Sequence, residues 1–391
     1  MKLYCFNPEH DLAIANNNEN FQAPESATLL SSDLAQLPAW YADVDSLILC
    51  EQSFLPYTTP VGLKVATVPP YSEDVPSLCT VEPWGWDAAV RKQLITLGVS
   101  PIVLPTLDQI ETYRNIAHRR TSAAAMQYII DQTDNVDLFP TPAVELTSAV
   151  ALHRFAAQHN EIVLKSPWSG SGKGVFWSRG ELTQSLSGWC NRILEKQGSV
   201  MGEVAMDRIQ DFAMEYRTRA GKTYFAGYSL FVTEGSGIYR GNRMMSNEMI
   251  EHELSRWVSV DILHWIQHTM FDFIDQNIAP QYEGYVGVDM FIYRSGGNIC
   301  INPAVEINLR MTMGMVARII FDRYVDNKST GWFTIDHEPP GQLYRAHQSH
   351  LENEPMQLAE GKLSHGYLSL CPVLPTTVYR ACIVLDNTHC H

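Results

Sequence analysis

The sequence predicts an α/β protein, mixed α+β over its whole length, whose N-terminal part is a doubly wound, mostly parallel sheet. Three observations predict it. Short apolar runs alternate with helix-length amphipathic runs through the first hundred residues. A Gly/Ser-rich loop near residue 170 joins two short apolar strands. The stretch from Gly284 to Gly314 reads as strand, "SGG" turn and strand, with charged residues spaced along it.

In chain order, "KLYCF" and "SLILC" are buried-strand runs, and "ESATLLSSDLAQLPAWYA" between them is helical. "LKVATV" is a third strand. "WDAAVRKQLITLGV" is a helix closed by Gly98, and "PIVL" is expected to follow as a strand. Around 105–118 the pattern turns to a more polar helix, "LDQIETYRNIAHRRTSAAAMQYIIDQ", where a domain boundary is placed. "FPTPAVEL" is an extended piece marked by prolines. Thr147 is the expected N-cap of a helix over "TSAVALHRFAAQH", with Ala149, Leu152, Phe155 and Ala156 as its apolar face. Strand "IVLK", a Gly/Ser loop and strand "VFW" then form a hairpin. Beyond residue 326, "KLSHGYLSLCPVLPTTVYRACIVL" alternates enough for strands, an added hairpin or an interface, and His389 and His391 around Cys390 read as a frayed terminus.

Composition limits the function. The 391 residues are 45% hydrophobic and 18% charged, as in soluble globular proteins, and leave room for several domains. A formal charge of −15 argues against nucleic-acid and anionic membrane partners. It is compatible with an anionic nucleotide, because a few cations and a divalent metal reverse the field within one cleft. The eight cysteines are scattered without a CxxC pair, so neither a zinc ribbon nor a disulfide framework is expected, and the expected compartment is the cytoplasm. Asn7 to Asp11 breaks the apolar start too early for a signal peptide, and no 18-residue apolar run predicts a membrane span.

Two stretches carry chemistry. In "EIVLKSPWSGSGKGVFW", Lys173 is followed by Gly174, which breaks the P-loop pattern, and Val175 stands where a dinucleotide fingerprint needs its third glycine. A glycine-rich loop between antiparallel strands can still bring its amides close to a triphosphate. Lys165 would then supply a fixed charge and Lys173 a mobile one; the plainer reading is a hairpin with solvated lysines. In "GYVGVDMFIYRSGGNICINPAVEINLRMTMG", Glu306 and Asn308 share one strand face, and a place for Asp289 opposite them across the hairpin is the expectation. Such oxygens suit Mg²⁺, which takes one or two carboxylates plus phosphate oxygens and water. Arg310 keeps the alternation and could reach a carboxylate or phosphate bidentately. The plainer reading is a solvated sheet face, although carboxylates in apolar surroundings need partners.

Together with "VMGEVAMDRIQDFAMEY", these stretches resemble the ATP-grasp superfamily in order and spacing, over roughly residues 115–320. The resemblance implies a pre-ATP-grasp α/β domain over 1–115, a lid subdomain over 116–200, a metal and nucleotide subdomain over 201–325, and a β-rich extension over 326–391. It implies ATP with Mg²⁺, or Mn²⁺ in its place, as cofactors. Lys165 would contact the α- or β-phosphate. Ser169, Gly170, Ser171, Gly172, Lys173 and Gly174 would form the lid over the β- and γ-phosphates. Glu203, with the backbone of Val204 and Met206, would read the adenine edge. Asp211 would bind the ribose, with Glu215 a close competitor for that place. Asp289, Glu306 and Asn308 match the metal ligands, and Arg310 the arginine that follows them. One departure stands out: the upstream phosphate lysine of many relatives is replaced by "IAHRRTSAAAM", where Arg119 or Arg120 would do its work. Arg243, in "GSGIYRGNRMMSNE", is the candidate anion contact beside the γ-phosphate and the acceptor.

At the N-terminus, Glu9, His10 and Asp11 follow the first strand, where open α/β sheets collect ligands, or else form a capped turn. "EPWGWD" is similarly placed, as substrate wall or as packing. The resemblance thus implies a ligase that activates a small-molecule or peptide carboxylate as an acylphosphate for attack by an amine. A non-catalytic ATP-binding module and a kinase of a hydroxylated substrate share the nucleotide contacts. Acid, amine and oligomeric state are left open, a homodimer among the options.

Overall fold

Chain alternation produces a parallel sheet first. The computed structural model describes residues 1–51, 60–63, 65–70, 75–170, 174–234 and 238–386, the side chains of 234 and 238 excepted. Strands β1 (Lys2–Cys5), β2 (Ser46–Leu49), β3 (Val65–Val68) and β4 (Thr80–Pro83) pair in parallel in the order β3-β2-β1-β4. The first crossover carries α1 (His10–Asn16) and α2 (Glu25–Asp33), and α3 (Ala88–Thr96) follows β4. Leu3, Leu49 and Val81 pack on Val90 and Leu94. Tyr4, Phe6 and Ile48 pack on the other face with Trp40. The doubly wound expectation holds. "PIVL" is not a strand: Pro101 opens a 3₁₀ turn over Pro101–Val103, a position proline favours. Strand β4 was missed, because only Val81 of its four residues is fully buried.

The long polar helix divides into α4 (Leu107–Ile116) and α5 (Arg120–Asp131). The break has a tertiary cause. The buried His118 ring accepts the Arg120 N–H at 3.0 Å, and the Arg119 N–H donates to Pro167 at 3.2 Å. Those contacts turn Arg119 inward.

A second, antiparallel sheet follows, in the order β5-β8-β6-β7: β5 (Val144–Leu146), β6 (Glu161–Lys165), β7 (Val175–Arg179) and β8 (Val200–Val204). α6 (Ala149–Gln158) and α7 (Gln184–Gln197) cover one face through Leu152, Phe155, Ile162, Leu164 and Cys190. Ser148, not Thr147, caps α6, accepting the Ala151 N–H at 3.2 Å, and Ala149 is exposed rather than part of the apolar face. Since side chains alternate, Val163 and Lys165 are left on the opposite face of β6.

The third sheet has nine antiparallel strands: β9 (Asp207–Arg219), β10 (Lys222–Glu234), β11 (Ile238–Met244), β12 (Gly284–Ser295), β13 (Asn298–Asn308), β14 (Thr330–His337), β15 (Gln357–Ala359), β16 (Lys362–Ser369) and β17 (Tyr379–Asp386). Their order is β13-β12-β9-β10-β11-β14-β17-β16-β15. Helices α8 (Asn247–Leu254) and α9 (Val260–Asn277), with α5, pack on Phe212, Met214, Val286, Val288 and Ile307. α10 (Met313–Tyr324) joins this sheet to the parallel one, with Met315, Ile320 and Phe321 in one core with Trp40 and Phe333. α11 (Gln342–Asn353) lies on β16. Among the described residues no helix is long and apolar enough to cross a membrane.

Candidate active site

The site begins at β12 and β13. Their register sets Asp289 directly opposite Glu306, and Asn308 opposite Gly287. The Asn308 amide donates to Asp289 Oδ2 at 3.2 Å. Burial, and then the Glu306 charge, push Asp289 up to about 7. Two facing carboxylates and an amide oxygen form a donor set that a hard divalent cation would relieve. Among the described residues no group of three or more His, Cys, Asp or Glu side chains gathers for a metal. The facing pair and the amide fit a cation that draws its remaining ligands from phosphate and water, as Mg²⁺ does.

Arg119 ties this hairpin to the glycine-rich loop. It is 5% exposed. One guanidinium nitrogen donates to Ser169 Oγ at 2.8 Å and to the Ser166 carbonyl; the other donates to Glu306 Oε1 at 2.7 Å. Its Nε is buried without a partner among the described residues. Arg120 points elsewhere: it is exposed and pairs at 3.7 Å with Glu145. Of the two upstream arginines, Arg119 is the one at the site.

Lys165, 3% exposed, ends β6, and its Nζ lies 2.6 Å from Glu203 Oε1 on β8. Burial pulls the ammonium below its usual value, with Arg119 and Arg208 adding to the fall and Glu203 opposing it. Beyond Glu203, Val204 and Met206 help line a cavity of about 1300 Å³, shared with Trp177, Tyr293 and Pro140. Lys165, Asp289 and Glu306 are not among its walls. Asp211 accepts from the Thr233 hydroxyl at 2.6 Å and pairs with Arg208 at 3.6 Å. Ser171, Gly172 and Lys173 lie outside the described residues.

Arg310 corrects an expectation. Its fork is already taken, Nε and Nη2 meeting the Asp11 carboxylate at 2.7 and 2.9 Å. Nη2 also donates to Asn308 Oδ1, and Nη1 to the Met311 carbonyl. It therefore orients Asn308 and is not open to a second bidentate anion. Burial alone would raise Asp11, but Arg310 outweighs it and holds the carboxyl below its usual range. Asp11 is set by an interlocked corner. Asn7 donates to the Gly85 carbonyl at 2.9 Å and to Asp87 at 3.3 Å. Asp87 also contacts the buried His10 ring at 3.1 Å and caps α3. The "NPEHD" segment is thus the start of α1, with no side-chain cap, and Asp11 reaches across the chain. Arg243 is likewise engaged away from the hairpin, its guanidinium 4.8 Å from the Trp332 ring.

Gly170 is required beside Asp11. A Cβ there would fall 1.9 Å from Asp11 Oδ2, and that carboxylate is held by Arg310. Gly170→Ala is expected to break the Asp11–Arg310 pair and lower the unfolding temperature by roughly 2–4 °C, measured by calorimetry, while the β-strand circular dichroism is unchanged.

Glu215 is the residue the sequence undervalued. It is 1% exposed, accepts from Thr312 Oγ1 at 2.9 Å and leaves Oε2 without a partner among the described residues. Gly314 allows it room, since a Cβ there would lie 2.3 Å from its Oε1. Burial, and then Asp289, push Glu215 up to about 8, against Thr312 and Arg310. The unfolded chain releases this proton near pH 4.5 and the folded chain near 8. Its contribution is full below the lower value and is lost as pH rises through that window. Glu215→Gln should therefore flatten the fall in stability between pH 5 and 8, with a gain of the order of 3 kcal/mol at pH 8, read by urea unfolding at both pH values.

No family model matches the sequence, and no curated protein matches it. Solved structures do. Biotin carboxylase from Campylobacter jejuni, in a β,γ-ATP complex, aligns over 99% of this chain and 87% of its own, with a TM-score of 0.52 at 11% identity. The biotin carboxylase domain dimer of Hydrogenobacter thermophilus 2-oxoglutarate carboxylase, with MgADP, ADP and bicarbonate, aligns over 98% and 86%, with a TM-score of 0.50 at 12% identity. The chain has the ATP-grasp fold. The ADP complex of N5-carboxyaminoimidazole synthetase from Staphylococcus aureus is a looser fit, covering 99% and 93% with a TM-score of 0.48 at 11% identity. At such identities the likeness speaks for the ATP-grasp architecture alone.

Proposed function

We propose that this protein is an ATP- and Mg²⁺-dependent ligase that activates a carboxylate as an acylphosphate for attack by an amine. The single observation that carries the reading is the Arg119 guanidinium, bonded on one side to Ser169 and on the other to Glu306. It ties Ser169 of the glycine-rich loop to the acidic hairpin, which supports reading the two as walls of one cleft. The complexes of like fold with MgADP or a β,γ-ATP ligand support a nucleotide in that cleft.

Three cation–carboxylate pairs stand on these elements or beside them: Lys165–Glu203, Arg119–Glu306 and Arg310–Asp11. Lys165 and Arg119 would be the phosphate partners of a triphosphate, and Asp289, Glu306 and Asn308 would hold Mg²⁺, or Mn²⁺ in its place. The bound cation supplies neutralisation of charge between nucleotide and acid. Glu306 would then leave Arg119 for the metal, and Arg119 would turn to phosphate, so neither charge would be left unpaired. Arg310, fixed by Asp11, holds Asn308 in place. Attack of a carboxylate oxygen on the γ-phosphorus joins two anions, so positioning and neutralisation by these residues is most of the catalysis. Val204 and Met206, on the 1300 Å³ cavity, suit the nucleobase end.

The test is release of ADP and phosphate across pooled carboxylates and amines, with Asp289→Ala as the control. Turnover that needs both an acid and an amine and vanishes in the variant supports the ligase. Turnover with neither, or with a hydroxylated substrate alone, contradicts it.

A further inference from the structure

The Arg208 guanidinium lies between the two sheets. It is 4.3 Å from the centre of the Phe291 ring on β12 and 5.8 Å from that of Trp177 on β7. Its side chain is 30% exposed, and Nη1 lies 3.6 Å from Asp211. A regular strand would not put it there. Residues 208 and 211 are three apart and belong on opposite faces. The β9–β12 register supplies the reason. Gln210 pairs with Ile292 and Arg208 with Tyr293, so Ile209 is an extra residue on β9. Such a bulge re-aims the side chains on one side of it. Ile209 thus joins the core face with Phe212 and Met214, and Arg208 joins the cleft face with Asp211.

The surroundings fit a flat, uncharged ring. On one side are Phe291, Met206 and Val305, which pack together. On the other is Trp177, which is exposed for 44% of its surface and forms a wall of the 1300 Å³ cavity along with Val204 and Met206. Lys165 and Arg119, the phosphate partners proposed above, lie toward the acidic hairpin. Arg208 bridges Phe291, two residues beyond Asp289 on β12, and Trp177, a wall of the cavity that Lys165, Asp289 and Glu306 do not line. A guanidinium is planar and stacks on aromatic faces, and it is more weakly hydrated than an ammonium.

We infer that Arg208 recognises the nucleobase, its guanidinium stacking on the face of a purine that enters the slot beside Phe291 and Trp177. The inference rests on the nucleotide reading of the cleft and extends it to a residue outside the phosphate and metal sets. Asp211 keeps the guanidinium in place while the base occupies the side facing Trp177.

The test is calorimetric binding of AMP, ADP and ATP, each with Mg²⁺, to the full chain and to Arg208→Ala and Arg208→Lys. A stacking arginine predicts a loss of about tenfold in Arg208→Ala that is the same for all three nucleotides. Arg208→Lys, which keeps the charge and loses the plane, should fall between. Thermal unfolding without nucleotide checks that both variants fold. A loss that grows with each added phosphate makes Arg208 a phosphate ligand and overturns the inference. Unchanged binding overturns it too, and tighter binding in Arg208→Ala would make Arg208 a plug in the slot. Those results leave the nucleotide reading intact, because the parent protein still binds. A parent protein that binds none of the three defeats both.

Discussion

Asp289→Asn is expected to cut Mg²⁺-dependent turnover at least a hundredfold while leaving the protein no less stable without metal. The two effects separate because of where Asp289 sits. It faces Glu306 directly across the β12–β13 pair and is buried there. Two like charges in that position repel when no cation lies between them, so removing one relieves the ligand-free protein. The same removal would take one carboxylate from the proposed metal site. Glu306→Gln should share the loss of turnover but not the gain in stability, because Glu306 is also the partner of the buried Arg119. Thermal unfolding with and without Mg²⁺, set beside ADP release, checks both. A Glu306→Gln variant as stable as Asp289→Asn would contradict the assignment of Arg119 to Glu306.

Lys165→Met is expected to cost a hundredfold or more in turnover, and its binding loss should depend on phosphate number. Lys165 meets Glu203 at 2.6 Å and shares a strand face with Val163, so methionine preserves the stem's packing and removes only the charge. Affinity for ATP and ADP should fall, and AMP should bind nearly as before. That pattern is the opposite of the one expected for Arg208, and the same titrations distinguish the two ends of the cleft. Truncation also leaves Glu203 without its cation, so Lys165→Met should be paired with Glu203→Gln, which restores stability without restoring turnover.

Local rules carried much of this architecture. Alternation along "VEINLR" put Glu306, Asn308 and Arg310 on one face, and the "SGG" turn brought Asp289 opposite; the register agrees. Alternation of strand and helix in the first hundred residues predicted the parallel sheet. Failures arose where distant contacts override local preference. The polar helix from 105 breaks at 117–119 because His118 is buried and Arg119 is drawn to Pro167 and Ser169, contacts with residues about fifty positions away. "PIVL" has the composition of a strand but starts with a proline that favours a turn. The Asp11–Arg310 pair joins residues 299 apart, and no periodicity could show that the arginine's fork was occupied. The bulge that re-aims Arg208 left no glycine or proline to betray it. Glu215 did leave a signal: a carboxylate in "FAMEY", between apolar neighbours, has to be buried with a partner or protonated.

Phosphate and metal are held in this account by opposite walls of one cleft, and that is open to direct inspection. Crystals grown with a non-hydrolysable ATP analogue and Mn²⁺ locate the cation by its anomalous signal. The account predicts Mn²⁺ between Asp289 and Glu306, phosphate oxygens on Lys165 and Arg119, and the 2.7 Å Arg119–Glu306 contact broken. Analogue bound elsewhere, or bound with that contact intact and no metal at the hairpin, would contradict it.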